Sequence, residues 1–282
     1  MIKIGVFGAG HLGKVHLKVA EASKILDLVG YYDPNPEIVK KITSEENYVA
    51  FSSLEELISA VDIVDIVTPT LSHFEIAQKA INANKNIFIE KPMSKTVKEA
   101  NDLVKMAEKK SVLGQVGHVE RFNPAFQAAL PWINSPMFIE THRLAEFNPR
   151  GTDVSVVLDL MIHDIDIVLS LVKSAIRKID ASGVSVISET PDICNARIEF
   201  VNGCVANFTA SRISLKKMRK SRFFQKNAYI ALNFLTKEVE IVKIKDVNRG
   251  INEDLPLFLT NAEGHKKQIY FENPNIENTN PI

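Results

Sequence analysis

The first sixteen residues place the strongest constraint on the fold of this chain. Apolar residues at alternate positions, Ile2, Ile4 and Val6, predict an opening β-strand, and the sequence GAGHLG follows at positions 8–13. This spacing, G-x-G-x-x-G, lets the backbone turn tightly, approach a pyrophosphate and pack a helix closely on the sheet. We therefore predict a strand, a phosphate-binding turn and a helix over Lys14–Ser23.

An acidic residue at a suitable distance supports this interpretation. A second apolar run, Leu26–Tyr32, ends at Asp33, twenty residues after Gly13. In dinucleotide sites an acid at about this distance binds the ribose hydroxyls. A carboxylate there would repel the 2′-phosphate of NADP, so Asp33 favours NAD. The alternative is that Asp33 serves only the turn before Pro34.

Length and composition limit the class of protein. With 282 residues the chain is predicted to form two domains, and its formal net charge of zero argues against nucleic acid or an anionic membrane as partner. It has no apolar run of membrane-spanning length and no signal-peptide pattern. The two cysteines, Cys194 and Cys204, are better explained as buried free thiols than as a disulfide. We therefore expect a cytoplasmic protein.

Strands and helices alternate through the first 116 residues, which predicts a parallel, doubly wound sheet. The predicted strands are Leu26–Tyr32, Val49–Phe51, Val61–Val67, Asn86–Ile89 and Val112–Val116, and the helices are Glu37–Glu45, one that begins after Ser53 as N-cap, Ser72–Asn82 and Lys95–Lys109. Ligands of such sheets bind beyond the carboxyl ends of the strands. Four segments are expected to converge there: Gly8–Gly13, Asp33, Thr68–Thr70 and Glu90–Pro92.

The pattern changes after Gly117. An apolar helix over Val154–Val172 is followed by strand-like segments joined by short turns, which predicts an antiparallel sheet with one open face. These segments are Lys178–Val186, Asn195–Phe200, Cys204–Ser211, Phe223–Gln225, Tyr229–Asn233 and Val239–Lys245. The predicted fold class is thus α/β: a dinucleotide-binding domain over 1–118 and a substrate-binding and oligomerisation domain of α+β type over 119–282.

Lys91 is a candidate catalytic residue because it ends a buried strand at the expected cleft and precedes a proline. A partly desolvated lysine beside a nicotinamide is suited to hydrogen-bond to a reacting hydroxyl or to exchange a proton with it. The alternative is a solvated lysine at the end of a strand.

A second group of polar residues lies in the apolar helix. Asp159, His163 and Asp166 are spaced by four and three residues, which places them on one helix face. A buried carboxylate–imidazole pair is costly, so a function is expected for it. His163 could act as a base that Asp159 orients, or the pair could bind a metal. The third possibility is a polar pair at a domain junction, without chemistry.

The second half is also rich in arginine, and residues 211–222 are strongly basic in a neutral chain. Arginine is suited to bidentate binding of phosphate, which favours a phosphate-bearing substrate. A solvated loop is the alternative. The arginines concerned are Arg121, Arg143, Arg150, Arg212, Arg219 and Arg222.

The glycine turn, Glu90-Lys91-Pro92 and Asp159-x-x-x-His163 together resemble the Gfo/Idh/MocA oxidoreductase family, and the resemblance runs through nearly the whole chain. It implies a Rossmann domain, then an α/β domain whose open, mostly antiparallel sheet forms homodimers or homotetramers. It also implies NAD(P)-dependent oxidation or reduction of a sugar or cyclitol hydroxyl. We expect no metal at the site. Lys91, Asp159 and His163 become the catalytic group, and spacing does not decide whether Lys91 or His163 accepts the proton.

The resemblance has further implications. The Lys91–Pro92 peptide is expected to be cis. Members usually end with a helix that returns to the first domain, whereas this chain stops at Ile282. Segments 118–124, 143–150 with 159–166, and 211–225 are more narrowly similar to the branch that oxidises the 3-hydroxyl of UDP-N-acetylglucosamine or related nucleotide sugars.

The resulting assignments form two sets. The cofactor contacts are Gly8, Gly10, His11, Leu12, Gly13, Asp33, Thr68, Pro69, Thr70, His73, Glu90 and Lys91. The substrate contacts are His118, Glu120, Arg121, Asn123, Arg143, Arg212 and Arg219. Two other functions stay open: a dehydrogenase of a free sugar or cyclitol, for which the basic segment is incidental, and a non-catalytic NAD-bound sensor or regulatory protein. A sensor would be expected to lack the lysine or the histidine, and both are present.

Overall fold

The computed structural model describes residues 1–149, 154–246, 258–260, 262 and 266–276. Over these residues the chain divides into two units, Met1–His118 and a second that begins at Val119. Two predictions lie outside the described residues: those for Arg150 and for the end of the chain at 277–282.

The first unit is a five-stranded parallel sheet with the strand order β2-β1-β3-β4-β5, and it confirms the predicted doubly wound fold. Its elements are β1 (Ile2–Phe7), α1 (His11–Ala22), β2 (Leu26–Tyr32), α2 (Pro36–Glu45), α3 (Leu54–Ala60), β3 (Ile63–Ile66), α4 (Thr70–Asn82), β4 (Asn86–Ile89), α5 (Val97–Lys110) and β5 (Gly114–Val116). Buried aliphatic side chains from β3, β4 and α4 form its larger apolar core.

Side-chain caps explain where several of these helices begin. Asn35 accepts a hydrogen bond from the N–H of Glu37 at the start of α2, and Ser53 caps α3 through the N–H of Glu56, as predicted. α5 begins with a capping box, in which Thr96 and Glu99 satisfy each other's backbone N–H groups. Each cap pairs backbone donors that the helix itself leaves unsatisfied.

Two predictions about this unit are wrong in detail. α1 begins at His11 with Gly10 as N-cap, earlier than the predicted Lys14, because the glycine turn already adopts helical geometry. The predicted strand Val49–Phe51 is only an isolated bridge between Tyr31 and Ala50.

The second unit contains a nine-stranded sheet with the order β13-β14-β12-β11-β10-β6-β9-β8-β7. Its elements are α6 (Pro124–Ala129), β6 (Phe138–Leu144), α7 (Ile162–Leu171), β7 (Ile176–Val184), β8 (Ile193–Phe200), β9 (Val205–Ser211), β10 (Met218–Gln225), β11 (Ala228–Asn233), β12 (Glu238–Asp246), β13 (Phe258–Thr260) and β14 (Lys266–Glu272). In the described part of the sheet the neighbours are antiparallel except β6 and β9, which confirms the mostly antiparallel sheet. α6 and α7 contribute to the apolar core of this unit.

Several features of this unit differ from the predictions. The helix predicted over Val154–Val172 is a π-helical turn, Val157–Met161, that continues into α7. The basic segment is not a loop throughout, because β10 begins at Met218. The sequence analysis also missed β6, although this strand pairs with both β9 and β10.

The state of the two cysteines and the character of the helices are further features of the described residues. Cys194 and Cys204 are free and buried, as predicted. Across the hairpin Cys194 pairs with Ala210 rather than with Cys204, because Cys204 lies before β9. Among the described residues, the helices are too short or too polar to cross a membrane.

Candidate active site

The glycine turn of the first unit is as tightly built as its spacing predicts. Gly8 has a φ of +93°, which favours glycine, and a Cβ at Gly13 would lie 2.0 Å from the carbonyl oxygen of Gly8. At Gly10 a Cβ would have no heavy atom of the described residues within 4 Å. His11 and Leu12 are exposed in the first turn of α1. Two glycines therefore shape the turn, and the third leaves its outer side open to a ligand at the helix N-terminus.

Asp33 fastens this turn to the end of β2. Its Oδ2 accepts the backbone N–H of Ala9 at 2.8 Å, and its Oδ1 accepts that of Asn35 at 2.8 Å. A cavity of about 390 Å³ lies beside the carboxylate, between Pro36 of α2 and Phe51. Each carboxylate oxygen keeps a second lone pair, so these residues fit the adenosine end of NAD.

The other predicted segments lie at the same edge of the sheet. The N–H of Val67 bonds to the carbonyl of Phe7 at 2.8 Å, and the N–H of Glu90 bonds to that of Ile66 at 2.9 Å, so the chain continues past β3 and β4 beside the glycine turn. Thr68 and Thr70 are half-buried and Pro69 is exposed. Lys91 is half-buried, and its peptide bond to Pro92 is cis, as the resemblance implied.

Two residues assigned to the cofactor point into the protein instead. His73 is 1% exposed, and its ring nitrogens lie 2.8 Å from the carbonyl oxygen of Thr68 and 2.9 Å from that of Pro92. Glu90 is buried, and its Oε2 accepts the backbone N–H of Lys91 at 3.1 Å. Both side chains therefore hold the loops that follow β3 and β4.

A buried charged cluster beneath this edge was missed by the sequence analysis. His16 of α1 lies with Nδ1 2.9 Å from Oδ2 of Asp65 and with Nε2 3.5 Å from Oε1 of Glu90. Burial by itself would lower the pKa of His16, but hydrogen bonding and the charges of the two carboxylates raise it to about 9. The signal in the sequence was Asp65, a carboxylate within the β-branched run of β3, since such a residue needs a buried partner.

In the second unit, Asp159 and His163 occupy the junction between the π-helical turn and α7. Asp159 lies in the π-helical turn, where its N–H bonds to the carbonyl of Ser155 at 3.0 Å, and His163 is the second residue of α7. Both side chains are half-buried. π-Helical turns are frequent at functional sites. Among the described residues no group of three or more His, Cys, Asp or Glu side chains is arranged to hold a metal ion.

Asp166 differs from these two residues because it holds an arginine. Nε of Arg121 lies 2.7 Å from Oδ2 of Asp166, and Nη2 contacts Oδ1. The guanidinium side chain of Arg121 remains 47% exposed. On the predicted face of three residues, Asp166 thus differs from Asp159 and His163 because its carboxylate orients a surface cation.

Arg143 lies in the interior of the second unit. Its guanidinium makes two hydrogen bonds to Asp164, at 2.8 and 3.1 Å, and one to Glu120 at 2.9 Å. Burial by itself would lower the pKa of Arg143, but the two carboxylates outweigh this effect and raise the pKa above its usual value. Asn123 completes the group by donating to Oε2 of Glu120 at 3.0 Å and capping α6. These buried residues fasten β6 to α7 and to the turn before α6.

Arg212 is buried as well, whereas Arg219 is at the surface. Nη2 of Arg212 donates to the carbonyl oxygens of Val154 and Pro191 at 2.7 and 3.0 Å. Arg219 is 47% exposed and lies 3.4 Å from Glu120. The structure therefore gives Glu120, Asn123, Arg143 and Arg212 a role in packing, whereas the sequence analysis assigned them to the substrate. Arg121 and Arg219 keep exposed guanidinium groups, and His118 is half-buried at the end of the first unit.

Comparison with known proteins identifies the family. Residues 2–118 match the model described as "Oxidoreductase family, NAD-binding Rossmann fold", and residues 112–226 match "GFO/IDH/MocA C-terminal domain". The chain belongs to the Gfo/Idh/MocA family. It is an oxidoreductase with an NAD-binding Rossmann domain, and the turn at 8–13 and Asp33 fit that cofactor.

Two curated relatives indicate the range of the family. UDP-N-acetylglucosamine 3-dehydrogenase from Acidithiobacillus ferrooxidans is 36% identical over 241 residues, which is 85% of this chain and 76% of the relative. scyllo-Inositol 2-dehydrogenase (NAD(+)) from Bacillus subtilis is 27% identical over 234 residues, which is 76% of this chain and 68% of the relative.

Solved structures agree with this assignment. The structure of the Acidithiobacillus ferrooxidans dehydrogenase has a TM-score of 0.86 at 32% identity, and the match covers 99% of this chain and 85% of the other. The WlbA dehydrogenase from Bordetella pertussis, in complex with NADH and UDP-GlcNAcA, has a TM-score of 0.76 at 17% identity and covers 82% of this chain and 73% of the other. At that identity the second match supports the fold alone.

Proposed function

We propose that this protein oxidises the 3-hydroxyl of a nucleotide sugar, UDP-N-acetylglucosamine or a close analogue, with NAD as the hydride acceptor. The observation that carries the proposal is the 36% identity with UDP-N-acetylglucosamine 3-dehydrogenase over 85% of the chain. The identity supports a sugar dehydrogenase of this family, and the proposal adds the nucleotide and the position of oxidation.

NAD, when bound, supplies the nicotinamide carbon that accepts the hydride. The residues of the first unit would hold its two ends. The N-terminus of α1 and the open side of Gly10 would receive the pyrophosphate, and Asp33 would bind the ribose hydroxyls beside the cavity at Phe51. Ala9 and the loop at Thr68–Thr70 would line the remainder of the site.

Lys91, Asp159 and His163 form the proposed catalytic group. The hydroxyl of the sugar loses its proton as its carbon loses the hydride. In this scheme His163 takes the proton, Asp159 orients the imidazole and the Lys91 ammonium stabilises the developing alkoxide. Positioned acid–base groups of this kind contribute about 10²–10⁴-fold to rate. The proposal has a second form, in which Lys91 rather than His163 receives the proton.

The exposed arginines support a phosphate-bearing substrate. Arg121 is held by Asp166 in a bidentate pair, and Arg219 lies beside Glu120, so both guanidinium groups are oriented while about half of each side chain stays exposed. An oriented guanidinium loses less side-chain entropy when it binds a phosphate. We therefore propose Arg121 and Arg219, with His118, as contacts of the substrate.

The first experiment separates the candidate substrates. UDP-sugars, free sugars and cyclitols are incubated with the protein and NAD, and formation of NADH is followed. NADH is expected to form with UDP-N-acetylglucosamine. Turnover with a free cyclitol alone would favour the activity of the scyllo-inositol relative. Binding of NADH without turnover of any of these compounds would favour the non-catalytic sensor.

A second experiment tests the catalytic group. Lys91→Ala is expected to lower kcat by about 10²–10⁴-fold with little change in NADH affinity. Lys95→Ala is the matched control, because Lys95 is an exposed lysine in the same loop. Full activity of Lys91→Ala on the true substrate would refute this mechanism.

A third experiment tests the phosphate contacts. Arg219→Gln is expected to raise KM for the nucleotide sugar by roughly 10- to 100-fold, the value of one charge-assisted hydrogen bond. Arg222→Gln is its control, since Arg222 lies three residues further along β10, on the other face of the strand, and pairs with Glu140. Equal effects of the two variants would contradict a specific contact at Arg219.

A further inference from the structure

The cluster of His16, Asp65 and Glu90 joins three elements that are far apart in sequence. His16 comes from α1, Asp65 from β3 and Glu90 from the residue after β4. They are 6%, 4% and 6% exposed, and the ring of Phe88 packs edge-on against His16 with 5.8 Å between ring centroids. The cluster therefore lies in the interior of the first unit, directly below the loop that carries Lys91.

Two buried carboxylates around one imidazole need a compensating charge. A buried carboxylate is costly unless it is paired. A doubly protonated imidazole carries an N–H on each nitrogen. Nδ1 of His16 hydrogen-bonds to Asp65 at 2.9 Å, and Nε2 lies within ion-pair distance of Glu90, at 3.5 Å. His16 is thus the cation that faces both carboxylates beneath the loop that carries Lys91.

Glu90 connects the cluster to the backbone of Lys91. Its Oε1 faces His16, while its Oε2 accepts the backbone N–H of Lys91 at 3.1 Å. On the other side of the same segment, the carbonyl of Pro92 contacts Nδ1 of His73 at 2.9 Å. The main chain at Lys91 is therefore held from both directions by buried side chains.

We propose that His16, Asp65 and Glu90 form a positioning unit for Lys91. His16 and Asp65 fix the carboxylate of Glu90, and Glu90 fixes the backbone from which the Lys91 side chain extends. The inference rests on the proposed function in one respect, namely that the Lys91 amine contacts the reacting hydroxyl. A misplacement of about 1 Å in such a group costs up to about 10²-fold in rate.

Gly117 offers a way to test the unit without changing any of its charges. A Cβ at Gly117 would lie 2.5 Å from Oε1 of Glu90, the oxygen that faces His16, so an alanine there requires this carboxylate to shift. Gly114, in the adjacent strand β5, is the matched control: its Cβ would lie 3.4 Å from a side-chain atom of Ile87, which is ordinary contact. Gly117→Ala and Gly114→Ala therefore differ in whether they disturb Glu90.

The test combines kinetics with the chemical reactivity of Lys91. For Gly117→Ala we expect kcat to fall by about 10-fold or more, with NADH affinity changed less than about twofold and KM for the sugar nearly constant. Methylation of Lys91 by formaldehyde and a reductant is carried out in the presence of NADH and measured by mass spectrometry. In Gly117→Ala the rate of methylation of Lys91 is expected to differ from that in the parent protein, while the rate at Lys98 does not. Gly114→Ala is expected to match the parent protein in all three measurements.

The results distinguish failure of the inference from failure of the proposed function. If no sugar is oxidised by the parent protein, methylation of Lys91 still reports whether the unit positions the amine. If Gly117→Ala binds NADH, turns over and is methylated at the parent rate, the inference is refuted.

His16→Gln and His16→Asn provide an independent pair of variants. The asparagine nitrogen replaces Nδ1 toward Asp65, and the glutamine nitrogen replaces Nε2 toward Glu90. Positioning through Glu90 predicts that His16→Gln retains more kcat and a more parent-like Lys91 methylation rate than His16→Asn. The reverse order would contradict the proposed path, and Gly117→Ala still carries the test if either variant fails to fold.

Discussion

Replacing His16 by glutamine is expected to remove a stabilising charge whose effect depends on pH. In the folded protein the carboxylates of Asp65 and Glu90 face the imidazole and raise its pKa from 6.5 to about 9, against the opposing effect of burial. In the unfolded chain these partners are lost. Folding therefore takes up a proton at any pH between the two values.

The magnitude follows from this difference in pKa. Each pKa unit corresponds to about 1.4 kcal/mol, so the proton on His16 contributes roughly 3 kcal/mol to the free energy of unfolding. Because the pKa is raised in the folded state, the contribution is fully present below pH 6.5 and is lost as the pH rises through about 9. Between these values the stability falls with increasing pH, since the folded state binds more protons than the unfolded state.

Calorimetry of the parent protein and of His16→Gln tests this reasoning. At about pH 6 the parent is expected to unfold roughly 10 °C above the variant, and at about pH 9.5 most of this advantage should be gone. His142→Gln, in the second unit, is the control for the loss of a histidine outside the cluster. A Tm difference between parent and His16→Gln that stays constant over this range would refute the assignment of the charge to His16.

Three further predictions follow from the same geometry. Gly10→Ala should fold normally but bind NADH about 10-fold more weakly. Gly13→Ala should instead lower the Tm of the protein, because its methyl group would lie 2.0 Å from a backbone oxygen. Calorimetry and NADH titration check both variants, and equal behaviour of the two would contradict these roles of the glycines. Asp33→Asn should raise kcat/KM with NADP relative to NAD by about 10-fold, because it removes the charge that repels a 2′-phosphate, and unchanged preference in steady-state kinetics would count against that role. Arg143→Met should lower the free energy of unfolding by about 3–5 kcal/mol in urea, since it leaves the buried carboxylate of Asp164 without its cation and Glu120 with only Arg219, at 3.4 Å. A loss below about 1 kcal/mol would indicate that water reaches the site.

The first unit was largely predictable from the sequence because its signals are local. The glycine turn, the Ser53 cap and the exact limits of β2 and β4 depend on residues within one or two turns of each other. Alternation of strands and helices then restricts the connection of a parallel sheet to very few topologies. For the same reason the loops after β1, β3 and β4 were expected at one edge, where the structure has them.

The second unit shows where local signals fail. An arginine has the same pattern in sequence whether it binds a phosphate or an internal carboxylate, and only the fold buries Arg143 and Arg212 while it leaves Arg121 and Arg219 exposed. The strand β6 was missed because its partners β9 and β10 are more than sixty residues away. Likewise, a π-helical turn at Asp159 depends on packing that the spacing of apolar residues does not specify.

The sequence by itself determined the nucleotide-binding turn, the parallel sheet and the identity of the residues proposed for chemistry. Only the tertiary structure decided which charges are paired with each other, as in the contact between His16 and Asp65, which are 49 residues apart. The physical reason is that secondary structure reflects the preferences of neighbouring residues. A buried charge is instead stabilised by whichever partner the completed fold brings to it.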